Sequence, residues 1–313
     1  MKVLVPFNNC QELKDLISAG SDEFYAGIIS KDWQKCYTNI GSPNRREWNS
    51  ANLSSFKELQ KAVNLIHKNN RKIWIALNAF YTPFQKELLM KEIDKILDTG
   101  VDGFIVADLG IISMLSQRKI KFIISTCATV LNCWGVRFYN RFSPQRITLP
   151  RQLSLKEITK IVGEFPEIKF EVFVLNSGCK NIDGFCTFHH GLSELKYPGV
   201  WNFFKKRNWD IKFLDRMRTS PGLLNLMRKF LPGIDSACLL DYKIEIKYDK
   251  AMDLNLRELK NNINDYFSLY TGIDPCRACE IINLQKLNIE ALKIVGRNYN
   301  REKRNFLEWW ILK

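Results

Sequence analysis

Ala19-Gly20-Ser21-Asp22-Glu23-Phe24-Tyr25 and Thr99-Gly100-Val101-Asp102-Gly103-Phe104-Ile105 are two versions of one junction. In each, a glycine closes a helical pattern and an aspartate stands before an apolar run. Glycine leaves a helix through a left-handed turn without steric cost. A helix-to-strand junction that recurs implies a fold made by repeating strand and helix. Outward from these points, apolar runs fall at Val3–Pro6, Glu23–Ile28, Lys72–Phe80, Gly103–Asp108, Lys121–Thr126, Arg146–Pro150, Lys169–Leu175 and Ala291–Val295. Each is nearly continuous, as in a strand covered on both faces. Amphipathic patterns lie between them: Ser54–Asn69 carries Phe56, Leu59, Val63 and Ile66, and Pro83–Asp98 carries Leu88, Leu89, Ile93, Ile96 and Leu97. Ser54 and Ser154 stand where N-caps belong, the latter with Glu157 placed for a capping box. Eight strands alternating with helices predict a parallel sheet, and eight is the number that closes a (β/α)8 TIM-like barrel. A doubly wound open sheet is the alternative. No G-x-G-x-x-G follows the first strand, which counts against a dinucleotide-binding version of it.

The chain has 313 residues, 46% of them hydrophobic, enough for a full core and too apolar for a disordered polymer. No run approaches the roughly 18 apolar residues of a membrane span. Asn8 and Asn9 interrupt the start before a signal-peptide core develops. A soluble, cytoplasmic protein is expected. Lys and Arg exceed Asp and Glu by 47 − 33 = 14, which favours polyanions, acidic small molecules or an anionic membrane surface as partners. Nine cysteines in a chain without a secretory signal suggest metal ligands or buried thiols before disulfides. Cys127 and Cys133, in apolar surroundings, read as core residues.

The alternation breaks once. Barrel strands one to seven occupy residues 1–178, a long cysteine-bearing, basic insertion covers 179–290, and strand eight with a C-terminal helix closes the barrel over 291–313. Such an insertion is far longer than an ordinary strand-to-helix connection. Within it, residues 196–229 hold nine Lys or Arg against Asp210 and Asp215, with Trp201, Phe203, Phe204, Trp209 and Phe213 interleaved. That composition suits RNA, with cations on phosphates and rings on exposed bases. It equally suits a small core with a solvated exterior.

Barrel chemistry collects at the C-terminal ends of the strands. Those ends carry Asn78, Asp108, Ser125, Thr126, Arg151, Asn176 and Arg297. Singly, each serves as a strand cap or loop start. As a ring, they make a polar pocket with two arginines, suited to an anionic small molecule. At the mouth of strand seven, Cys179 and Cys186 straddle the turn at Gly184. Asp274-Pro275-Cys276-Arg277-Ala278-Cys279 adds a CxxC behind a proline turn and leads back to the same face. Two converging pairs supply four thiolates, enough for Zn2+ or an iron–sulfur cluster, with redox dithiol chemistry or disulfides as alternatives. His189 and His190 are readable as a ligand, as acid/base groups, or as polar helix-start residues.

The stretch Glu171–Cys186 resembles the signature of the U32 peptidase, or collagenase-like, family: Glu-x-Phe, a small-residue turn, then Cys-x6-Cys with Gly two before the second cysteine. The likeness takes in residues 20–27, the strand ends at Asn78 and Asp108, Ser125-Thr126, Leu149–Ser154 and Leu292–Arg297. Asn176, Gly178, His189 and Val295 depart from the family pattern and bear on the substrate. The resemblance implies a barrel fold and a [4Fe–4S] cluster on four cysteines. Motif for motif, these are Cys179, Cys186, Cys238 (within Ser236–Tyr242) and Cys276, with Cys279 as the substitute for the fourth; Zn2+ is the alternative metal. Its members divide between peptidases and oxygen-independent hydroxylation proteins acting on ubiquinone precursors or on ribosomal and transfer RNA. A second subunit of the same family is a further expected partner.

The chain lacks G-x-S-x-G and H-E-x-x-H, and only three histidines are available for a Cys/His dyad. A thiolate bound to iron is no free nucleophile. An iron–sulfur hydroxylase or oxidoreductase therefore ranks above a peptidase, and a non-catalytic, metal-stabilised RNA- or partner-binding protein is the third reading. In the favoured reading Arg151 and Arg297 clamp an anionic oxygen donor, Asn78, Asp108 and Thr126 orient the acceptor, and His189 is the nearby acid/base candidate.

Overall fold

The computed structural model describes residues 1–37, 42–46, 51–174, 183–184 and 277–296. Eight parallel strands close on themselves in chain order. They are β1 (Lys2–Pro6), β2 (Glu23–Ala26), β3 (Lys72–Leu77), β4 (Gly103–Val106), β5 (Phe122–Ile124), β6 (Arg146–Thr148), β7 (Phe170–Phe173) and β8 (Ile289–Lys293). Every expected strand is present. Several are shorter at the C-terminal end than their apolar run, because Ile28, Phe80 and Asp108 lie past the last laddered residue. β8 begins two residues earlier than read, at Ile289, and pairs with both β1 and β7 to seal the cylinder.

The helices between them are α1 (Cys10–Ser18), α2 (Lys31–Tyr37), α3 (Phe56–Lys68), α4 (Lys86–Asp98), α5 (Leu109–Gln117), α6 (Cys133–Asn140), α7 (Leu155–Glu164) and α8 (Ile281–Gln285). Successive side chains of a strand face opposite ways, and the buried residues divide accordingly. Val3, Val5, Phe24, Ile73, Ile75 and Phe104 belong to a large outer core with the apolar stripes of the helices, such as Leu59, Val63 and Ile66 of α3. Their neighbours in sequence, Leu4, Tyr25, Trp74, Ile105 and Ile123, form a separate cluster inside the barrel.

The recurring junction has a structural cause. Gly20 and Gly100 turn out of α1 and α4 with φ of 98° and 83°. Asp22 then accepts the Val3 amide at the start of β1, and Asp102 accepts the Ile73 amide at the start of β3, both at 2.9 Å. Each aspartate satisfies a backbone donor that the ladder leaves open at the N-terminal rim. The capping box of α7 is formed as expected by Ser154 and Glu157. At α3 the cap is Ser55, one residue beyond the expected Ser54. Ser55 accepts the Glu58 amide, while Ser54 donates its amide and hydroxyl to the Glu58 carboxylate.

Cys179, Cys186, Cys238, Cys276, His189, His190, Asn176, Arg297, the tract 196–229 and the C-terminal helix lie outside the described residues. Among the described residues no helix is long and apolar enough to cross a membrane.

Candidate active site at the barrel mouth

The C-terminal rim gathers the expected residues, in differing roles. Asp108 caps α5 by accepting the Ile111 amide at 3.0 Å and also accepts the Tyr81 amide, so its carboxylate holds two loops in place. Asn78, after β3, donates toward Ser125 Oγ at 3.4 Å and Cys127 Sγ at 3.7 Å. Its Oδ1 is buried and accepts nothing among the described residues. Cys127 thus sits at the rim, half-buried, and not in the core as its apolar surroundings suggest. Cys133 packs partly against the outer core, and burial pushes its thiol pKa up. Cys279 is exposed.

Thr126 and Arg151 meet on one carboxylate. Asp183 accepts Thr126 Oγ1 at 2.9 Å and Arg151 Nε at 3.0 Å, and its carbonyl accepts Thr129 Oγ1 at 3.1 Å. Gly184 follows with φ of 91°, and a Cβ there would lie 1.9 Å from Thr129 Oγ1 and 2.5 Å from the Cys127 carbonyl oxygen. Only glycine fits this close approach. Arg151 is held from a second direction: Arg277 Nη2 donates to the Arg151 carbonyl at 3.1 Å and to the Leu153 carbonyl, while its Nη1 pairs with Glu280 at 2.9 Å. Asp183, lying between Cys179 and Cys186 in sequence, and Arg277, following Cys276, are therefore both fastened to Arg151.

Inside the barrel, against Tyr25 and Trp74 of the apolar cluster, runs a chain of buried charges. Glu23, Arg146, Glu171 and Lys293 are all nearly inaccessible. Trp74 Nε1 donates to Glu23 at 2.7 Å, and Arg146 bridges Glu23 and Glu171, its Nε 2.7 Å from the latter. Glu171 also accepts Thr148 Oγ1 at 3.0 Å and Lys293 Nζ at 2.8 Å. Lys293, the last residue of β8, brings this chain to the mouth, with Nζ over the rings of Tyr25 (4.7 Å) and Phe173 (5.9 Å). Burial alone would raise the Glu171 pKa, and the Lys293 and Arg146 charges outweigh it, leaving the carboxyl below its ordinary range. Arg146 is held above the ordinary arginine range by the two glutamates despite its burial.

Sequence reading missed this interior set. Its signal was a single charged residue at inward-facing positions of otherwise apolar strands: Glu23 in β2, Arg146 in β6, Glu171 in β7 and Lys293 in β8. His67, the one histidine among the described residues, lies at the far end of α3, 3.0 Å from Asp102 near the N-terminal rim. It is not at the mouth.

The family model described as Peptidase family U32 matches residues 8–197. tRNA hydroxylation protein P of Helicobacter pylori is 28% identical over 188 residues, 59% of this chain and 42% of that protein. The Escherichia coli protein of the same name is 25% identical over 304 residues, covering 95% of this chain and 63% of its own length. The 23S rRNA 5-hydroxycytidine C2501 synthase of Escherichia coli is 24% identical over 190 residues, 61% of this chain and 26% of that protein. The chain thus spans less than two thirds of each of these relatives. Matched by the family model over more than half its length, from before β2 to beyond β7, the chain belongs to the peptidase U32 family.

Proposed function

We propose that this chain is an iron–sulfur protein that takes part in oxygen-independent hydroxylation of an RNA base. The relatives named for tRNA hydroxylation and rRNA hydroxycytidine synthesis support the reaction class. The observation that carries the cofactor is the double fastening at Arg151. It holds Asp183, with cysteines four residues before and three after it in sequence, and Arg277, one residue after Cys276, against one side of the mouth. Thiolates of those segments form a donor set of the kind that binds iron–sulfur clusters. Cys179, Cys186, Cys238 and Cys276 would hold a [4Fe–4S] cluster, with Cys279, exposed two residues beyond Arg277, as the substitute for the fourth ligand. Bound there, the cluster supplies one-electron transfer at the rim.

The chain's own residues would do the rest. Asn78 presents a buried carbonyl oxygen without a partner among the described residues, suited to an exocyclic amine of a base. Thr126 and Arg151 hold the cysteine segment through Asp183 and keep the rim in register. Lys293, paired with Glu171 at 2.8 Å, would place a cation beneath the pocket for an anionic oxygen donor, with Arg297 as the further clamp. The position of the only described histidine, at the opposite rim, favours this reading over proteolysis, which would have to recruit His189 or His190. A second subunit of the same family would be the further partner of this reading.

The test is anaerobic purification with iron, sulfide and zinc analysis, alongside mass spectrometry of nucleosides from cells with and without the gene. The expected result is about four iron and four sulfide per chain, a broad visible absorption, and a hydroxylated nucleoside that disappears with the gene. A colourless protein with stoichiometric zinc and an unchanged nucleoside profile would replace this reading with a structural-metal one.

A further inference from the structure

From Leu109 to Lys156 the chain carries eight Lys or Arg and no Asp or Glu. Arg146 and Arg151 turn their charge inward, onto Glu23, Glu171 and Asp183. The other six, Arg118, Lys119, Lys121, Arg137, Arg141 and Lys156, are exposed. This part of the surface is therefore basic by sequence and by placement, and its centre is α6.

α6 gives little to the core. Val136 is its one buried residue, and Cys133 and Tyr139 are only partly covered. Trp134 stays 76% exposed and Phe138 37%. Trp134, Arg137 and Phe138, with Arg141 at the C-cap, fall at i, i+3, i+4 and i+7, which is one face of a helix. That spacing ordinarily turns an apolar stripe toward a core. Here the stripe faces outward and alternates ring with cation. The Arg137 guanidinium lies 5.0 Å from the centre of the Trp134 ring, and that of Arg141 4.5 Å from the Phe138 ring. Glu164 of α7 pairs with Arg137 and holds it in place.

Both ends of the stripe are anchored. At its head, Asn132 caps α6 through the Gly135 amide at 3.0 Å, and the Tyr139 hydroxyl donates to the Ala128 carbonyl at 3.4 Å. Thr126 and Thr129 of that same connection hold Asp183 at the rim, so the stripe begins beside the mouth. At its foot, Ser116 Oγ donates to the Phe142 carbonyl at 2.9 Å, which sets the last turn of α5, followed by Lys119, next to Arg141. Exposed rings stack bases whatever their sequence, and interleaved cations neutralise the phosphates between them. A surface without acids adds no repulsion to a polyanion.

We propose that the face formed by Trp134, Arg137, Phe138 and Arg141 is a docking surface that guides single-stranded RNA to the barrel mouth, apart from the tract 196–229. This assignment rests on the acceptor being an RNA base.

Fluorescence anisotropy of a labelled oligouridylate of about 12 nucleotides, titrated with the full chain at several salt concentrations, tests it. Wild type binds, and log affinity falls with log salt. Trp134→Ala weakens binding by at least about fivefold at constant salt, the loss of one stacked base, whereas Trp134→Phe keeps a ring and most of the affinity. Arg137→Gln with Arg141→Gln makes the salt slope shallower by about 1.4, for two phosphates no longer neutralised. Lys57→Gln with Lys61→Gln, on α3, removes the same charge and leaves the slope unchanged. All five positions are exposed, so these variants melt with wild type. Photocross-linking of a thiouridine form of the oligonucleotide to wild type, with adducts mapped by mass spectrometry, reads the site without any variant; adducts within 134–141 are expected. No binding by wild type at low salt, adducts only in other segments, equal affinity in Trp134→Ala, or a slope flattened as much by the α3 pair overturns the assignment. If Trp134→Ala instead converts a dimer to a monomer in sedimentation while RNA affinity holds, the face is a contact between copies and the assignment falls. Stripe-dependent RNA binding by a protein without iron, from cells whose nucleosides do not change with the gene, keeps the surface and discards the hydroxylation reading.

Discussion

Charged side chains inside a barrel cost several kcal/mol each unless every one is answered. Here Arg146 sits between Glu23 and Glu171, and Glu171 between Arg146 and Lys293, so removing one member strands its neighbours. Glu171→Gln is expected to lower unfolding free energy by about 3–5 kcal/mol, read from urea midpoints. The acid limb carries the same signature. Because the folded pKa of Glu171 is held below its ordinary 4.5, its contribution is complete above about pH 4.5 and is lost as pH falls through the lower folded value. Denaturation midpoints measured from pH 7 to pH 3 should fall more steeply for wild type than for Glu171→Gln. Equal slopes would show that other carboxylates govern acid unfolding. These residues were invisible to a periodicity reading because one charge in a four-residue apolar run scarcely changes its pattern; only the alternation of inward and outward positions distinguishes it.

Elements were the most legible level. All eight strands were readable because a strand buried on both faces leaves a continuous apolar run, whereas α2 was not, a seven-residue helix burying Trp33 alone. Ser154→Ala, which removes the α7 cap, should cost about 1 kcal/mol in a urea titration; a cost near zero would mean that packing of Ile158, Ile161 and Val162 alone secures the helix. The segment at Asp183 and Gly184 makes the sharper prediction. Gly184→Ala drives a methyl group into Thr129 Oγ1 and the Cys127 carbonyl. Since a backbone carbonyl cannot step aside, the segment should leave the rim while the barrel keeps its melting temperature. Iron per chain should then drop with little change in far-ultraviolet dichroism. Full iron loading in Gly184→Ala would separate metal binding from this contact.

At the level of the whole molecule, the excess of fourteen positive charges belongs unevenly to the chain, with residues 196–229 contributing nine Lys or Arg against two Asp. If that tract meets RNA phosphates, log affinity should fall with log salt by about 0.7 per single-stranded phosphate neutralised. Changing Lys205, Lys206 and Arg207 together to Gln should then flatten the slope by roughly two units, measured by fluorescence anisotropy with a labelled oligonucleotide; an unchanged slope would place the RNA elsewhere. The barrel's strand order closes through β8 directly onto β7 and β1.

Asp183 and Arg277, near the two ends of the long segment between β7 and β8, are both moored to Arg151. A connection whose two ends return to one spot can be lengthened, trimmed or exchanged with little effect on loop-closure entropy. On the proposed reading the cylinder would be a socket and that segment a replaceable cartridge, in which new recognition surfaces can be tried without re-engineering the chamber beneath.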